Sequence, residues 1–304
     1  GDTRAQEIVD LNILTIEELK KRKDEKIRGK KKNLPLLNEK EQKGLIYFEE
    51  TSERIPRSEI EEFEKLFKKE FIELLNSKNE SLENHIFEIT GSYRRGKPNS
   101  GDIDLLFTAF NNNKLIYHDF INHLVSKNII VTQLTNGPTK SLLIAKLTPN
   151  SKARRVDFLY ATPEERPFAL LYFTGSKEFN TAMRQIALNQ KLTLNEHGFH
   201  KINKTKEKTE KTEKITQIFK SEKDIFDYLN IVYKEPNQRI DGNSITINQS
   251  YGIVDGVEVN PATLPNTECV GQSGLFKICS FARTNNSPFA MQSGPYHNSI
   301  KNLG

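Results

Sequence analysis

The sequence predicts an α+β protein, a mixed sheet backed by helices, and three observations carry that expectation. Residues 57–77 set Ile60, Phe63, Phe67, Phe71 and Leu74 at three- and four-residue steps, the period of a helix with one apolar face. Short runs rich in β-branched and aromatic residues follow, at His85 to Ile89, Ile103 to Phe107, Ile129 to Thr132, Ser141 to Leu147 and Arg155 to Tyr160, and they read as strands. The chain's 304 residues suffice to bury a substantial core and to form two or three subdomains.

Taken in order, residues 1–56 read as short helices joined by a basic run. From Lys20 to Lys32 there are nine Lys or Arg against Asp24 and Glu25 alone. Such a run is more often a solvated loop, although beside a phosphate-handling site it also suits nucleic acid, which basic surfaces attract through counterion release. Residues 57–163 hold the long helix, the predicted strands and a second helix from Ile116 to Lys127. Residues 164–240 return to helices around Thr174-Gly175-Ser176 and then pass into small strands. Lys201 to Lys223 carries eight lysines against four glutamates and reads as an exposed, mobile loop. After about Asp241 the composition breaks. Residues 241–304 contain only Asp241, Asp255, Glu258 and Glu268 against Lys277, Arg283 and Lys301, so they form a different kind of segment. A small β-rich appendage and a partner-binding tail both fit it.

No run of eighteen apolar residues exists, so no membrane span is expected. Cys269 and Cys279 are too few for a disulfide framework, and a reducing intracellular setting is the default.

The chemistry concentrates in Gly91-Ser92-Tyr93-Arg94-Arg95-Gly96-Lys97-Pro98-Asn99-Ser100-Gly101-Asp102-Ile103-Asp104. On an extended strand residues i and i+2 share a face, which forces the carboxylates of Asp102 and Asp104 together. A bare Asp-x-Asp is more often a solvated strand end. Here the preceding segment adds small residues, the Ser92 hydroxyl and two guanidinium groups, all suited to phosphate. Hard oxygen ligands beside a phosphate site suit Mg2+ and a nucleotide held by its triphosphate. Gly91 to Lys97 also fits the opening of a P-loop. Pro98 excludes that motif, because it supplies neither the hydroxyl for Mg2+ nor an unbroken helix.

With those residues in view, the sequence resembles the nucleotidyltransferases of DNA polymerase family X, the group of polymerase beta. Arg54-Ile55-Pro56-Arg57, Arg155-Val156-Asp157, Tyr172-Phe173-Thr174-Gly175-Ser176, Phe179-Asn180 with Met183-Arg184, Thr193-Leu194-Asn195-Glu196 and Asp224-Ile225-Phe226-Asp227-Tyr228 occur in the family's order. The resemblance implies a helix-hairpin-helix DNA-binding subdomain at residues 1–56, a catalytic palm at 57–163 and a nascent-base-pair-binding subdomain at 164–240. It assigns no role to 241–304. It also implies template-directed synthesis from dNTPs on gapped or primed DNA, as in repair, by a monomer using two Mg2+ ions for which Mn2+ can substitute.

Residue by residue, the resemblance implies that Asp102 and Asp104 hold both ions and that Asp157 joins the ion activating the primer hydroxyl. Composition and spacing alone do not single out Asp157 among the acidic residues. Arg54, Ser92 and Arg95 match triphosphate-binding positions, where a planar fork meets two oxygens at once. Gly101, Tyr172, Phe173, Gly175 and Asn180 match the remaining nucleotide site. Gly1, Thr3 and Ala5 fall in the downstream half of the hairpin motif, where backbone N–H groups hold a DNA phosphate. Lys140, Arg155, Arg184 and Glu196 complete the expected DNA contacts. Arg94 has two readings, a second phosphate contact or a structural role, the latter because neighbours on one loop rarely face the same partner.

There are departures from polymerase beta. Lys177 replaces an acidic residue that packs on the nucleotide base, Leu159 replaces an arginine that pairs with a catalytic aspartate, and His197 stands where tyrosine is common. Template-independent relatives carry a Gly-Trp pair in the loop that Tyr172-Phe173-Thr174-Gly175 matches, and the absence of tryptophan therefore favours templated synthesis. The lyase domain of polymerase beta has no counterpart within residues 1–304, so removal of a 5'-deoxyribose phosphate by this chain is not expected. Untemplated terminal transfer and a catalytically silent DNA-binding scaffold are the alternatives.

Overall fold

The computed structural model describes residues 2–28, 33–204, 209–248, 252–254, 257–259, 269–273 and 276–279. The chain forms two compact units, each assembled from separated stretches of sequence.

The first unit comprises Gly1–Asn79, Ser100–Ile103 and Leu115–Leu159. It opens with helices Asp2–Asp10, Ile16–Arg22, Glu39–Ile46 and Phe48–Ser52. Thr15 with Glu18, and Asn38 with Glu41, form capping boxes that satisfy the first N–H groups of the second and third helices. Ile13, Leu36, Leu37 and Leu45 make a small core beneath them. The described part of the basic run, residues 20–28, is engaged by neighbouring elements. Lys26–Arg28 pairs antiparallel with Asn33–Pro35, while Lys20 and Arg22 are bridged to Glu49 and Glu25.

Helix Arg57–Lys78 matches the expected periodicity and buries Ile60, Phe63, Phe67, Phe71 and Leu74. It stops at Asn79, whose positive φ of 53° suits an asparagine at a left-handed cap. Against it lie helix Leu115–Ser126 and an antiparallel array of Ile130–Asn136, Lys140–Ala145 and Arg154–Tyr160. Phe158 stacks on Phe120 and meets Phe67 edge-on, so the strand carrying Asp157 is backed by aromatic rings.

The second unit comprises Glu80–Asn99, Asp104–Lys114 and Tyr160–Gly304. His85–Ile89 pairs antiparallel with the strand Ile103–Ala109, and the stretch between them begins with a helical turn, Gly91–Arg94. Helices Arg166–Thr174 and Lys177–Asn189 lead into three antiparallel strands, Leu192–Asn195, Gly198–Lys204 and Thr209–Lys214, followed by helix Glu222–Tyr228. Phe168, Phe179, Met183, Phe199, Phe219 and Phe226 form its core.

For the described residues 201–204 and 209–223 this corrects the reading of an exposed mobile loop; residues 205–208 lie outside the described residues. Alternation of Lys, Thr and Glu supports a paired strand whose register ties Ile202 to Lys211, and Glu222 is buried at 5% exposure. Composition counts charges without knowing their partners. Beyond residue 240, Ile245 and Ile247 pack on the same core, and Gly252–Val254 pairs with Val257–Val259 and Cys269–Ser273 with Phe276–Cys279. The remainder of the tail lies outside the described residues, as does the expected DNA contact at Gly1. Among the described residues no helix is long and apolar enough to cross a membrane.

Candidate active site

In the first unit, Arg155 and Asp157 share one face of strand Arg154–Tyr160, while Val156 and Phe158 point into the core. Antiparallel register sets Asp157 opposite Leu142, which brings Lys140 diagonally onto the same face at 3.7 Å from the carboxylate. Asp102 accepts a hydrogen bond from Arg155 at 2.5 Å. Burial pushes the Asp157 carboxyl above its ordinary range, and the negative charge of Asp102 adds to that push, against the opposing pull of Lys140 and Arg155. Two carboxylates are thus held close by two cations. Arg54 lies against Gly101, where an added Cβ would sit 3.2 Å from its guanidinium. Thr3 and Ala5 are exposed near the start of the first helix.

In the second unit, Gly91 adopts a φ of +59°, and an added Cβ there would collide with the Asp104 carboxylate. Only glycine fits such an approach. The turn carries Ser92 and Arg95, whose Nη1 donates to the Thr174 carbonyl at 2.6 Å, beside Gly175. Burial lowers the pKa of Arg95, with Asp104 and Glu178 opposing. Arg94 is engaged within the protein, in line with the structural one of its two readings. Its fork meets both oxygens of Glu222, at 3.1 and 2.8 Å, and Nη1 also reaches the Thr174 hydroxyl at 2.7 Å.

Gly175 ends one helix and Ser176 caps the next by accepting from the Phe179 N–H. The Tyr172 and Phe173 rings meet edge-to-face with centroids 4.8 Å apart. Asn180 Nδ2 donates to the Tyr172 carbonyl at 2.6 Å, and the Arg184 guanidinium lies 4.8 Å from the Tyr172 ring centre. Tyr172, Asn180, Arg184, Leu194 and Asn195 line a shallow cleft. Glu196 occupies the adjoining turn.

Sequence reasoning missed Glu222, which these contacts join to the Arg94-Arg95 turn, and Arg239, whose Nη1 donates to Glu222. No local signal marks either; Thr174 lies inside the quoted Tyr172–Ser176 motif but was given no role of its own.

The candidate donors are carboxylate oxygens without His or Cys, a set that fits hard divalent cations such as Mg2+ or Mn2+. Among the described residues, the group whose ligand atoms lie within 4.8 Å of one another is a different one, Glu70, Glu73 and His123. His123 and Lys127 already engage those oxygens, at 2.9 Å from Glu70 and 2.5 Å from Glu73.

A model of the DNA polymerase beta palm matches residues 54–163, and one of the DNA polymerase beta thumb matches residues 169–240. The architecture is that of a polymerase beta-like nucleotidyltransferase. Rat DNA polymerase lambda is 29% identical over 224 residues, covering 71% of this chain and 37% of that protein. DNA nucleotidylexotransferase of Xenopus laevis is 27% identical over 267 residues, covering 75% and 48%, and human DNA-directed DNA/RNA polymerase mu is 25% identical over 238 residues, covering 67% and 45%. The chain belongs to DNA polymerase family X. It spans less than half the length of these relatives.

Proposed function

We propose that the chain transfers a nucleotide from a dNTP to the 3'-hydroxyl of a primer in gapped or primed DNA, directed by the template strand. The observation that carries this reading is the pairing of Asp102 and Asp157 with Arg155 and Lys140 on the strand face of Asp157, with Asp104 two residues from Asp102 in the chain. Carboxylates crowded beside cations serve no binding role of their own, whereas they suit a pair of divalent ions. Asp102, Asp104 and Asp157 would hold those ions, which when bound polarise the attacking hydroxyl and the phosphate being transferred.

The protein's own groups complete the task. Arg54, Ser92 and Arg95 grip the triphosphate and orient it for in-line displacement. Asp157 is the acceptor for the proton of the primer hydroxyl, and Arg155 steadies the primer phosphate beside it. Tyr172, Phe173 and Gly175 underlie the sugar, and Asn180 and Arg184 face the base edge and the template. Thr3, Ala5, Lys140 and Glu196 contact DNA. A monomer filling gaps during repair inside the cell agrees with this reading.

Untemplated terminal transfer is the second reading, favoured by the similarity to DNA nucleotidylexotransferase. Primer extension with Mg2+ and four dNTPs, on gapped duplex and on single strands, separates them. Extension that needs the template and is abolished by Asp157→Ala, with DNA binding retained, is the expected result. Extension by Asp157→Ala would remove the mechanism, and equal extension of single strands would transfer the assignment to the second reading.

A further inference from the structure

Glu222 is 5% exposed, yet it carries a charge, and two arginines account for it. Arg94 clasps both of its oxygens, while Arg239, fully buried, donates from Nη1 to Oε1 at 2.6 Å. Arg239 is itself fixed by the Lys234 carbonyl at 2.9 Å and lies over the Phe226 and Tyr233 rings. The backbone carbonyl of Arg239 accepts from the Ser176 N–H, and the Ser176 hydroxyl donates to the carbonyl of Ile240. Thr174 sits between the two halves, with its hydroxyl on Arg94 and its carbonyl on Arg95. One buried carboxylate thereby links the Gly91–Arg94 turn to both residues flanking Gly175.

We propose that Glu222 is a positioning residue for nucleotide binding, holding Arg94 so that the adjacent Ser92 and Arg95 present a fixed triphosphate cradle beside Gly175. This rests on the polymerase reading above. The physical reason is geometric. Arg94 and Arg95 are consecutive, so fixing the first guanidinium in a two-point fork removes the rotational freedom of the turn that carries the second. The residue acts through Arg94 and touches no substrate.

Single-turnover incorporation into a one-nucleotide gap with Mg2+ separates the apparent dNTP dissociation constant from the maximum rate. Glu222→Gln and Arg94→Lys should raise that constant by about tenfold to a hundredfold while leaving DNA affinity unchanged, and Glu222→Asp should recover part of the loss. Leu229→Ala removes volume from the same core away from the ion pairs and should leave the constant at the parent value, which sets apart mere destabilisation. Should Glu222→Gln fail to fold, Arg94→Lys decides the matter. Folded variants with the parent's dNTP constant overturn the proposal alone. A parent chain showing no saturable dNTP dependence removes the polymerase reading, and this inference with it.

Discussion

Replacing Phe67 by alanine should loosen the strand that carries Asp157. Phe67 is fully buried, with ring centres 5.6 Å from Phe63, 6.5 Å from Phe120 and 5.6 Å from Phe158, the last two edge-on. Truncating a buried phenylalanine costs about 3–5 kcal/mol through lost transfer energy and the residual cavity. The two edge contacts lie within that figure at about 0.5–1.5 kcal/mol each. Since Phe158 is the chain neighbour of Asp157, the cavity opens directly behind the candidate carboxylate. Urea denaturation followed by circular dichroism should register the full loss, and Phe67→Leu should cost only about 1–1.5 kcal/mol. Incorporation measured where both variants remain folded should fall further for alanine than for leucine. A stability loss below about 1 kcal/mol for Phe67→Ala would refute the claim that these rings support the strand.

Gly91→Ala should lower incorporation sharply, because it strains a positive-φ position and drives a methyl group into the Asp104 carboxylate; steady-state kinetics on a gapped duplex check this. Ser176→Ala removes a helix cap and the bond to the Ile240 carbonyl, and should cost about 1 kcal/mol in denaturant unfolding. Burial raises the Glu222 pKa, but Arg94 and Arg239 outweigh it and hold the carboxyl below its ordinary range. A depressed folded-state pKa adds stability that is present above the unfolded value and is lost as pH falls through the folded one. The parent should therefore lose stability on the acid side, and the gap separating it from Glu222→Gln should narrow there, as unfolding at several pH values would reveal.

The long helix and most strands were legible because apolar spacing reports burial directly, as at Ile60, Phe63 and Phe67. Gly91, Asp102 and Asp104 stood out for another reason: crowded carboxylates after a small-residue turn have few purposes besides cation and phosphate chemistry, whereas Asp157 stood out only through the family resemblance. Arg94 was legible only as a residue facing away from Arg95. Its partner Glu222 was hidden in a lysine-rich run, 128 positions distant, where neighbouring charges are solvated and nothing local distinguishes one glutamate. Thr209–Lys214 escaped for a related reason, since a strand of Thr, Glu and Lys is held by backbone pairing that composition does not report.

The central claim is that Asp102, Asp104 and Asp157 jointly bind a pair of divalent ions. Anomalous diffraction from crystals grown with Mn2+, gapped DNA and a non-hydrolysable dNTP tests it most directly. Two manganese peaks about 3.5–4 Å apart, ligated by those three carboxylates, are the predicted result. Peaks located elsewhere, or a trio of aspartates that leaves the metal to other ligands, would contradict it.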